Sequence, residues 1–309
     1  MIRGGAIGDF ILTLPAIKAL RDSFPNAHIE ILGYKQIAAL AENRFYAERV
    51  RSIESAELAP FFAKNAALPS DLARHFAGFD LILSYLYDPN WIFEGNLRRS
   101  GAQKIVQGPS KIEEHSPAAL QLTQPVKELG LPISDLTPRV YPSREDRNRA
   151  GQFLDQLAEP IVAFHPGSGS EKKNWPVQNW IEIGNHFLSN SIGSLLVILG
   201  EADEGLAGQL ELNWQDSRVR FAKTLPLTDL AAVLEDAIFL GHDSGISHLA
   251  AAAGAKSIML FGPTNPEIWA PPNENVRVIR APKRDLGRLD IAVVRDALDQ
   301  ALAHFFPCF

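Results

Sequence analysis

Short runs of apolar and β-branched residues alternate with longer segments of helical spacing along the whole chain. The short runs are apolar from end to end, which is typical of parallel strands buried on both faces. Their alternation with helical segments predicts βαβ units and an α/β fold. The predicted strands are residues 28–33, 80–85, 104–108, 160–167, 194–200, 219–222, 237–241 and 257–262, and the clearest helices are residues 8–24, 176–190, 226–237 and 247–255.

The length of 309 residues favours two domains. A charged segment over 142–159 resembles a helix between two α/β units. We therefore predict Rossmann-like parallel-sheet domains over 1–150 and 151–309, with the final helical pattern, 289–306, able to pack back on the first domain. Only three residues precede the first glycine pair. Either the first strand is short, since a buried strand has about five residues, or the sequence begins downstream of its natural start.

Composition narrows the function classes. The net charge is −6 and no block of Lys or Arg occurs, which argues against nucleic acid as a partner. The single cysteine, Cys308, excludes a disulfide within the chain and a Cys-ligated zinc site, and it fits a reducing cytoplasm. No apolar run reaches the ~18 residues of a membrane span, and the first residues lack a signal-peptide core. A cytoplasmic location is expected.

The stretch "GHDSGISHLA", 241–250, places small and polar residues between a predicted strand and a predicted helix. Ligands of open α/β sheets bind where strands end and helices begin, and the first N–H groups of a helix attract anions. Asp243 or Ser244 could cap the helix, Gly245 lets a phosphate approach the backbone, and His248 lies one turn on. A diphosphate site and a plain capped helix with a surface histidine are both compatible with this stretch.

Two further stretches carry candidate chemistry. In "FHPGSGSEKKNWP", 164–176, a glycine-containing loop follows a strand and is followed by Lys172 and Lys173, which could bind phosphate or form a solvated pair. The spacing is not that of a P-loop. In "GGAIGDFILTLPA", 4–16, Asp9 begins a helix. It either stabilises the helix dipole or serves as a base at the rim of a cleft.

Several motifs are absent from the sequence. No D-x-D motif occurs, so the pair of carboxylates that usually binds the metal ion of a nucleotide-sugar site is missing. The metal-binding helix motifs H-E-x-x-H and H-x-x-x-H and the nucleophile elbow G-x-S-x-G are also missing. The stretch 4–16 does not have the G-x-G-x-x-G spacing of a dinucleotide-binding loop, which gives a dehydrogenase little support. No metal and no cofactor are expected.

Taken together and in this order, the three stretches, with "ILGEADE" at 198–204, resemble glycosyltransferase family 9, the ADP-heptose:lipopolysaccharide heptosyltransferase-like proteins. The resemblance implies a GT-B fold, in which two Rossmann-like domains face each other across a cleft. It places the nucleotide-sugar donor mainly on the C-terminal domain, 151–309, and the acceptor on the N-terminal domain, 1–150. It further implies an inverting, metal-independent transferase of the cytoplasm or the cytoplasmic face of the inner membrane. Its substrates would be a nucleotide-sugar donor, ADP-heptose-like, and a glycan or glycolipid acceptor of the lipopolysaccharide core, reached by peripheral contact with the membrane.

The resemblance also assigns roles residue by residue. Asp9 matches the general base, and Lys173 matches the lysine that neutralises the donor diphosphate. The remaining matches are to the donor site: Ser168 and Gly169 at the diphosphate, Glu204 at the ribose, and Asp243, Ser244, Gly245 and His248 around the nucleotide sugar. Region 86–103 carries no signature of a particular acceptor.

Two other functions fit the same pattern. One is a nucleotide-sugar hydrolase or epimerase of the same fold, which would act on the donor without an acceptor. The other is a catalytically inactive nucleotide-sugar-binding protein, against which the presence of both Asp9 and Lys173 argues.

Overall fold

A computed structural model describes residues 1–200 and 203–303. The chain divides into two compact units, Met1–Leu136 and Thr137–Phe309. The predicted boundary at 150 falls inside a helix of the second unit, α7 (Arg144–Leu154). This helix is fixed there because Arg147 pairs with Glu235 at 2.7 Å and Arg149 pairs with Asp229 at 2.9 Å. Asp229 lies in the helix α10 (Leu227–Leu234), and Glu235 directly follows it.

The first unit is a five-stranded parallel sheet with the order β3-β2-β1-β4-β5. Its central strand, β1, has only two residues. The elements are β1 (Ile2–Arg3), α1 (Ile7–Ser23), β2 (Glu30–Gly33), α2 (Lys35–Ala38), β3 (Arg49–Ser52), α3 (Ser70–Ala77), β4 (Ile82–Ser84), α4 (Ile92–Arg99), β5 (Ile105–Gln107), α5 (Ala118–Leu122) and α6 (Gln124–Glu128).

The second unit is a six-stranded parallel sheet with the order β11-β10-β9-β6-β7-β8. Numbered within the unit, this is the 3-2-1-4-5-6 order of the doubly wound nucleotide-binding fold. After α7, its elements are β6 (Ile161–His165), α8 (Val177–Asn190), β7 (Ser194–Ile198), α9 (Glu204–Asn213), β8 (Val219–Ala222), α10 (Leu227–Leu234), β9 (Ile238–His242), α11 (Gly245–Ala253), β10 (Lys256–Phe261), α12 (Pro266–Trp269), β11 (Val276–Arg280) and α13 (Ile291–Ala303).

The middle of the second sheet is buried on both faces, which explains the continuous apolar runs. The middle strands β6, β7 and β9 are buried at every residue. Trp180 and Phe187 of α8 pack on this sheet, and Val294 and Leu298 of α13 belong to the same core. The buried side of the final helix is therefore part of the second unit.

Candidate functional site

The two polar stretches of the second unit begin at neighbouring strands. β6 and β9 are hydrogen-bonded partners, with His165 opposite Gly241, although 76 positions separate these residues in the sequence. The chain order reverses between β6 and β9, because β7 lies on the far side of β6 and β10 on the far side of β9. Ligands of open α/β sheets bind at the carboxyl ends of the strands that flank such a reversal. The topology thus places both stretches where this rule expects a ligand.

Three charged or titratable side chains meet at this point. The Lys173 ammonium lies 2.8 Å from Asp243 Oδ2, and His248 Nε2 lies 3.6 Å from Asp243 Oδ1. Asp243 and His248 are buried, whereas Lys173 is about 29 % exposed. His248 Nδ1 is buried and has no hydrogen-bond partner in the described part of the chain. The cluster thus presents a partly exposed cation and an unused imidazole nitrogen.

Electrostatics keep Asp243 ionised. Burial alone would raise the pKa of Asp243, but its interactions with His248 and Lys173 outweigh burial and hold the pKa well below its usual range. An ionised carboxylate in a buried position needs such partners, because an unpaired buried charge is strongly unfavourable. Lys173 is thus already engaged with an anion, and its remaining N–H donors are available to a ligand.

The buried side chain of His242, at the end of β9, contacts the loop that follows β6. Its Nε2 accepts the Trp175 N–H at 2.8 Å, and its Nδ1 faces the Gly167 carbonyl oxygen at 3.4 Å. Accepting at Nε2 requires the neutral tautomer with hydrogen on Nδ1. Burial is the largest cause that lowers the pKa of His242, to about 3. The residue is therefore a neutral link that fixes the loop after β6 against the end of β9.

This buried histidine makes stability depend on pH. In the unfolded chain His242 takes up a proton near pH 6.5, whereas the folded protein resists protonation down to about pH 3. The unfolded state therefore binds more protons between these pH values. As the pH is lowered through this range, the contribution of His242 to the free energy of unfolding falls. Between pH 7 and 5 the stability advantage of the wild type over His242→Gln should shrink by about 2 kcal/mol. Urea unfolding of both proteins at the two pH values measures this, and a constant difference would contradict it.

The helix after β9 begins as the sequence suggests, and Ser244 rather than Asp243 is its cap. Ser244 Oγ accepts the Ser247 N–H at 3.3 Å, and the Ser247 hydroxyl donates to the His242 carbonyl oxygen. The first N–H groups of α11, at Gly245 and Ile246, have no intrahelical acceptors. The start of α11 thus carries free donors and the positive end of a nine-residue helix dipole.

In the loop after β6, the two glycines have different surroundings. A Cβ on Gly167 would lie 1.6 Å from Asp203 Oδ1, so Gly167 is required by the packing of the protein itself. A Cβ on Gly169 would meet nothing within 4 Å. Ser168 Oγ lies 2.8 Å from the Ser170 carbonyl oxygen and 2.7 Å from Asn174 Oδ1, which fixes the loop between them. The open space at Gly169 is where a ligand can approach the backbone.

Glu204 is the first residue of α9, and its side chain lies outside the described part of the structure. The neighbouring Asp203 is 3 % exposed and accepts the Gly200 N–H at 2.8 Å. Asp203 therefore contacts both Gly200, shortly after β7, and the loop that carries Gly167. The predicted contact of Glu204 with a ribose stays a prediction.

Asp9 lies in the first unit, after the central strand β1. Its Oδ2 accepts the Ala6 N–H at 3.1 Å, and its Oδ1 lies 3.5 Å from the Arg3 guanidinium. Arg3 is buried, donates to Thr13 Oγ1 at 3.0 Å and stacks on Tyr85, 5.6 Å from the ring centroid. Asp9 is about 32 % exposed. It thus stabilises the start of α1, as one of the two interpretations expected, and still presents a carboxylate to solvent.

The sequence assigned no role to two residues of these sites, His242 and Arg3. His242 directly ends a fully apolar strand, and Arg3 is a charged residue inside a buried strand. Such positions carry a signal, because a buried polar or charged side chain must have a partner. The partner of His242 could not be named without knowing which strands are neighbours. The partners of Arg3, which are Asp9 and Thr13, lie on the helix that directly follows its own strand.

The chain is similar in sequence to known glycosyltransferases. The model of glycosyltransferase family 9 (heptosyltransferase) matches residues 108–291, more than half of the chain. Lipopolysaccharide heptosyltransferase 1 of Pseudomonas aeruginosa is 31 % identical over 132 residues, which are 41 % of this chain and 37 % of that protein. The chain thus spans less than half the length of the curated relatives it matches.

Two solved structures of glycosyltransferases resemble the fold of this protein over nearly the whole chain. A family 9 glycosyltransferase from Veillonella parvula has a TM-score of 0.79 at 16 % identity, with 98 % of this chain and 96 % of that chain covered. E. coli heptosyltransferase WaaC, solved with ADP, has a TM-score of 0.71 at 19 % identity, with 97 % and 98 % covered.

The fold is therefore that of the GT-B glycosyltransferases, with two parallel-sheet α/β units, which confirms the predicted fold class. The chain belongs to glycosyltransferase family 9, the heptosyltransferase family. No helix among residues 1–200 and 203–303 is both long enough and apolar enough to cross a membrane.

Proposed function

We propose that the protein is an inverting glycosyltransferase that moves a heptose from an ADP-heptose-like donor to a glycan acceptor of the lipopolysaccharide-core type. Its relatives support the substrates: those it matches include lipopolysaccharide heptosyltransferases 1 and 2, and WaaC has been solved with ADP and with an ADP-2-deoxy-2-fluoro heptose. An acceptor of this kind is anchored in a membrane, so we place the protein in the cytoplasm, in peripheral contact with the inner membrane.

The observation that carries the proposal is the meeting of Lys173, Asp243 and the start of α11 where the second sheet reverses its chain order. A diphosphate needs a cation and free N–H donors, and this point supplies both. Gly169 leaves space for close approach to the backbone. The unpartnered His248 Nδ1 supplies a polar atom for the sugar or a phosphate oxygen.

The proposed reaction is a single displacement. An acceptor hydroxyl oxygen attacks the anomeric carbon of the donor sugar while the bond from that carbon to the diphosphate oxygen breaks, which inverts the configuration. Asp9 takes the hydroxyl proton, and ADP departs with the electron pair of the broken bond. Lys173 and the α11 N–H groups stabilise the charge that gathers on the leaving diphosphate. Asp243 holds the Lys173 ammonium in place through their 2.8 Å contact.

A transfer assay separates this function from its rivals. The protein is incubated with ADP-heptose, with and without a de-acylated lipopolysaccharide of truncated core, and both ADP and the acceptor mass are followed. The proposal expects one added heptosyl unit per ADP released, and little ADP without acceptor. Equal ADP release without acceptor would favour a hydrolase. Donor binding without any turnover would favour an inactive binding protein.

Activity is expected to survive removal of divalent metal. The sequence contains no D-x-D motif to hold a metal ion. Lys173 and the start of α11 can instead neutralise the charge of the donor diphosphate. Turnover in EDTA should match turnover in magnesium. Loss of turnover in EDTA that magnesium or manganese restores would refute this part of the mechanism.

A further inference from the structure

Three exposed aromatic residues follow the strands that flank β1 in the first unit. Tyr34 comes directly after β2, and Tyr87 and Trp91 follow β4. They are 40 %, 61 % and 62 % exposed. Because the sheet is parallel, the carboxyl ends of β1, β2 and β4 share one edge, the edge from which Asp9 also projects. We call these three residues the aromatic platform.

Contacts tie the aromatic platform to the loop that carries Asp9. A Cβ on Gly4, in that loop, would lie 4.0 Å from the Tyr34 ring and 3.9 Å from Leu86, the neighbour of Tyr87. The Lys111 ammonium lies 5.1 Å from the centroid of the Tyr87 ring, a cation–π distance that restrains the ring. Tyr34 therefore adjoins the loop that carries Asp9, and Tyr87 directly follows a residue that also lies against this loop.

The exposed residue Trp91 has a strained backbone conformation. Trp91 has φ 56° and ψ 26°, in the left-handed region that side-chain-bearing residues avoid. Asp88 fixes the turn by accepting the N–H groups of Ile92 and Glu94, each at 2.9 Å, while the Trp91 N–H reaches the Asp88 carbonyl oxygen at 3.1 Å. The backbone of Trp91 is thus strained and held by its surroundings, while the indole ring is exposed to solvent. Such strain is typical of functional positions, which suggests a function for the Trp91 side chain.

The chemistry of the aromatic platform fits a sugar ring. Tyr and Trp combine a flat apolar face with a polar atom at the rim, which suits a ligand that is apolar on one face and hydroxylated around its edge. The exposed large apolar side chains of the first unit are all aromatic, whereas those of the second, among its described residues, are aliphatic. Carboxyl ends of strands at a reversal of chain order, here between β1 and β4, are also where open α/β sheets bind ligands.

We propose that the aromatic platform is the acceptor subsite, where a pyranose ring of the acceptor stacks on Trp91 and Tyr87 and presents its hydroxyl to Asp9. This inference rests on the proposed glycosyl transfer and assigns its second substrate to residues of the 86–103 region.

The test compares Trp91→Leu with Trp91→Phe, using ADP-heptose and a de-acylated lipopolysaccharide of truncated core. Interface aromatics that anchor a ligand contribute more than about 1 kcal/mol, and 1.4 kcal/mol is tenfold. Trp91→Leu should raise the acceptor KM about tenfold, with the donor KM unchanged. Trp91→Phe, which keeps an aromatic face, should recover most of the loss. Tyr87→Leu provides a second variant if Trp91→Leu folds poorly.

Phe24→Leu is the matched control. Phe24 is 49 % exposed but follows α1, at the opposite edge of the same sheet, so its replacement should leave the acceptor KM unchanged. An unaltered acceptor KM in both Trp91→Leu and Tyr87→Leu would overturn the inference while transfer by the wild type still stands. A change of oligomeric state in Trp91→Leu, measured by sedimentation, would also overturn it and identify the surface as an interface between copies. No transfer by the wild type would instead refute the proposed function.

Discussion

Asp9→Asn should lower turnover by roughly 100-fold or more, the lower range for general-base catalysis, with ADP affinity nearly unchanged. Asparagine keeps the size of the side chain and an oxygen for the Ala6 N–H, which Asp9 accepts at 3.1 Å. It removes the proton acceptor and the charge that faces Arg3 at 3.5 Å. Donor binding depends on the second unit in this account, so the loss should appear in turnover rather than in ADP affinity.

Capping is the competing explanation for Asp9, because its carboxylate does stabilise the start of α1. Loss of a cap costs about 0.5–2 kcal/mol of stability and predicts no loss of turnover in the protein that stays folded. Asp22→Asn is the matched control: Asp22 lies on the same helix, pairs with Lys18 and is about 43 % exposed. It should leave turnover unchanged. Full turnover in Asp9→Asn would remove Asp9 from the catalytic role.

The second large effect is expected at Lys173. A charge-assisted contact with phosphate contributes about 1.5–3 kcal/mol, so Lys173→Ala should weaken ADP binding by roughly 10- to 100-fold. Lys172→Ala is the matched control, since Lys172 is the exposed neighbour in the same turn. It should change ADP affinity little. Isothermal titration calorimetry with ADP measures both, and a larger loss in Lys172→Ala would mean that the lysines have been assigned in the wrong order.

Lys173→Ala also leaves Asp243 as a buried anion without its 2.8 Å partner, which could by itself repel a diphosphate. The double variant Lys173→Ala, Asp243→Asn separates the two effects. If Lys173 contacts the diphosphate, affinity stays low in the double variant. Recovery of wild-type affinity would mean that Lys173 serves only to neutralise Asp243.

The architecture could be predicted because the middle strands are buried on both faces. β6, β7 and β9 appear in the sequence as unbroken apolar runs. The strands β3 and β11 were not predicted, although both exist. They are the outermost strands on one side of each sheet, and β11 buries one of its five residues and β3 one of its four. These two edge strands face solvent and carry the charges of "RVRS" and "VRVIR", so no continuous apolar run marks them in the sequence.

The candidate site could be predicted as two separate loops but not as one cluster. Sequence spacing places each polar stretch at the end of a strand, and parallel pairing then puts both at the same edge. That β6 adjoins β9 rather than β8 follows from the strand order, which the chain order does not reveal. The contact of Lys173 with Asp243 and the bridge through His242 depend on that order. Tertiary topology therefore determines the electrostatics of the site.

The most direct measurement is a crystal structure of the protein with ADP bound. The account predicts the diphosphate within hydrogen-bond distance of Lys173 Nζ and of the N–H groups at the start of α11, beside Gly169. A diphosphate held elsewhere, for example at the glycine loop before Asp9, would contradict the assignment of the donor site to the second unit.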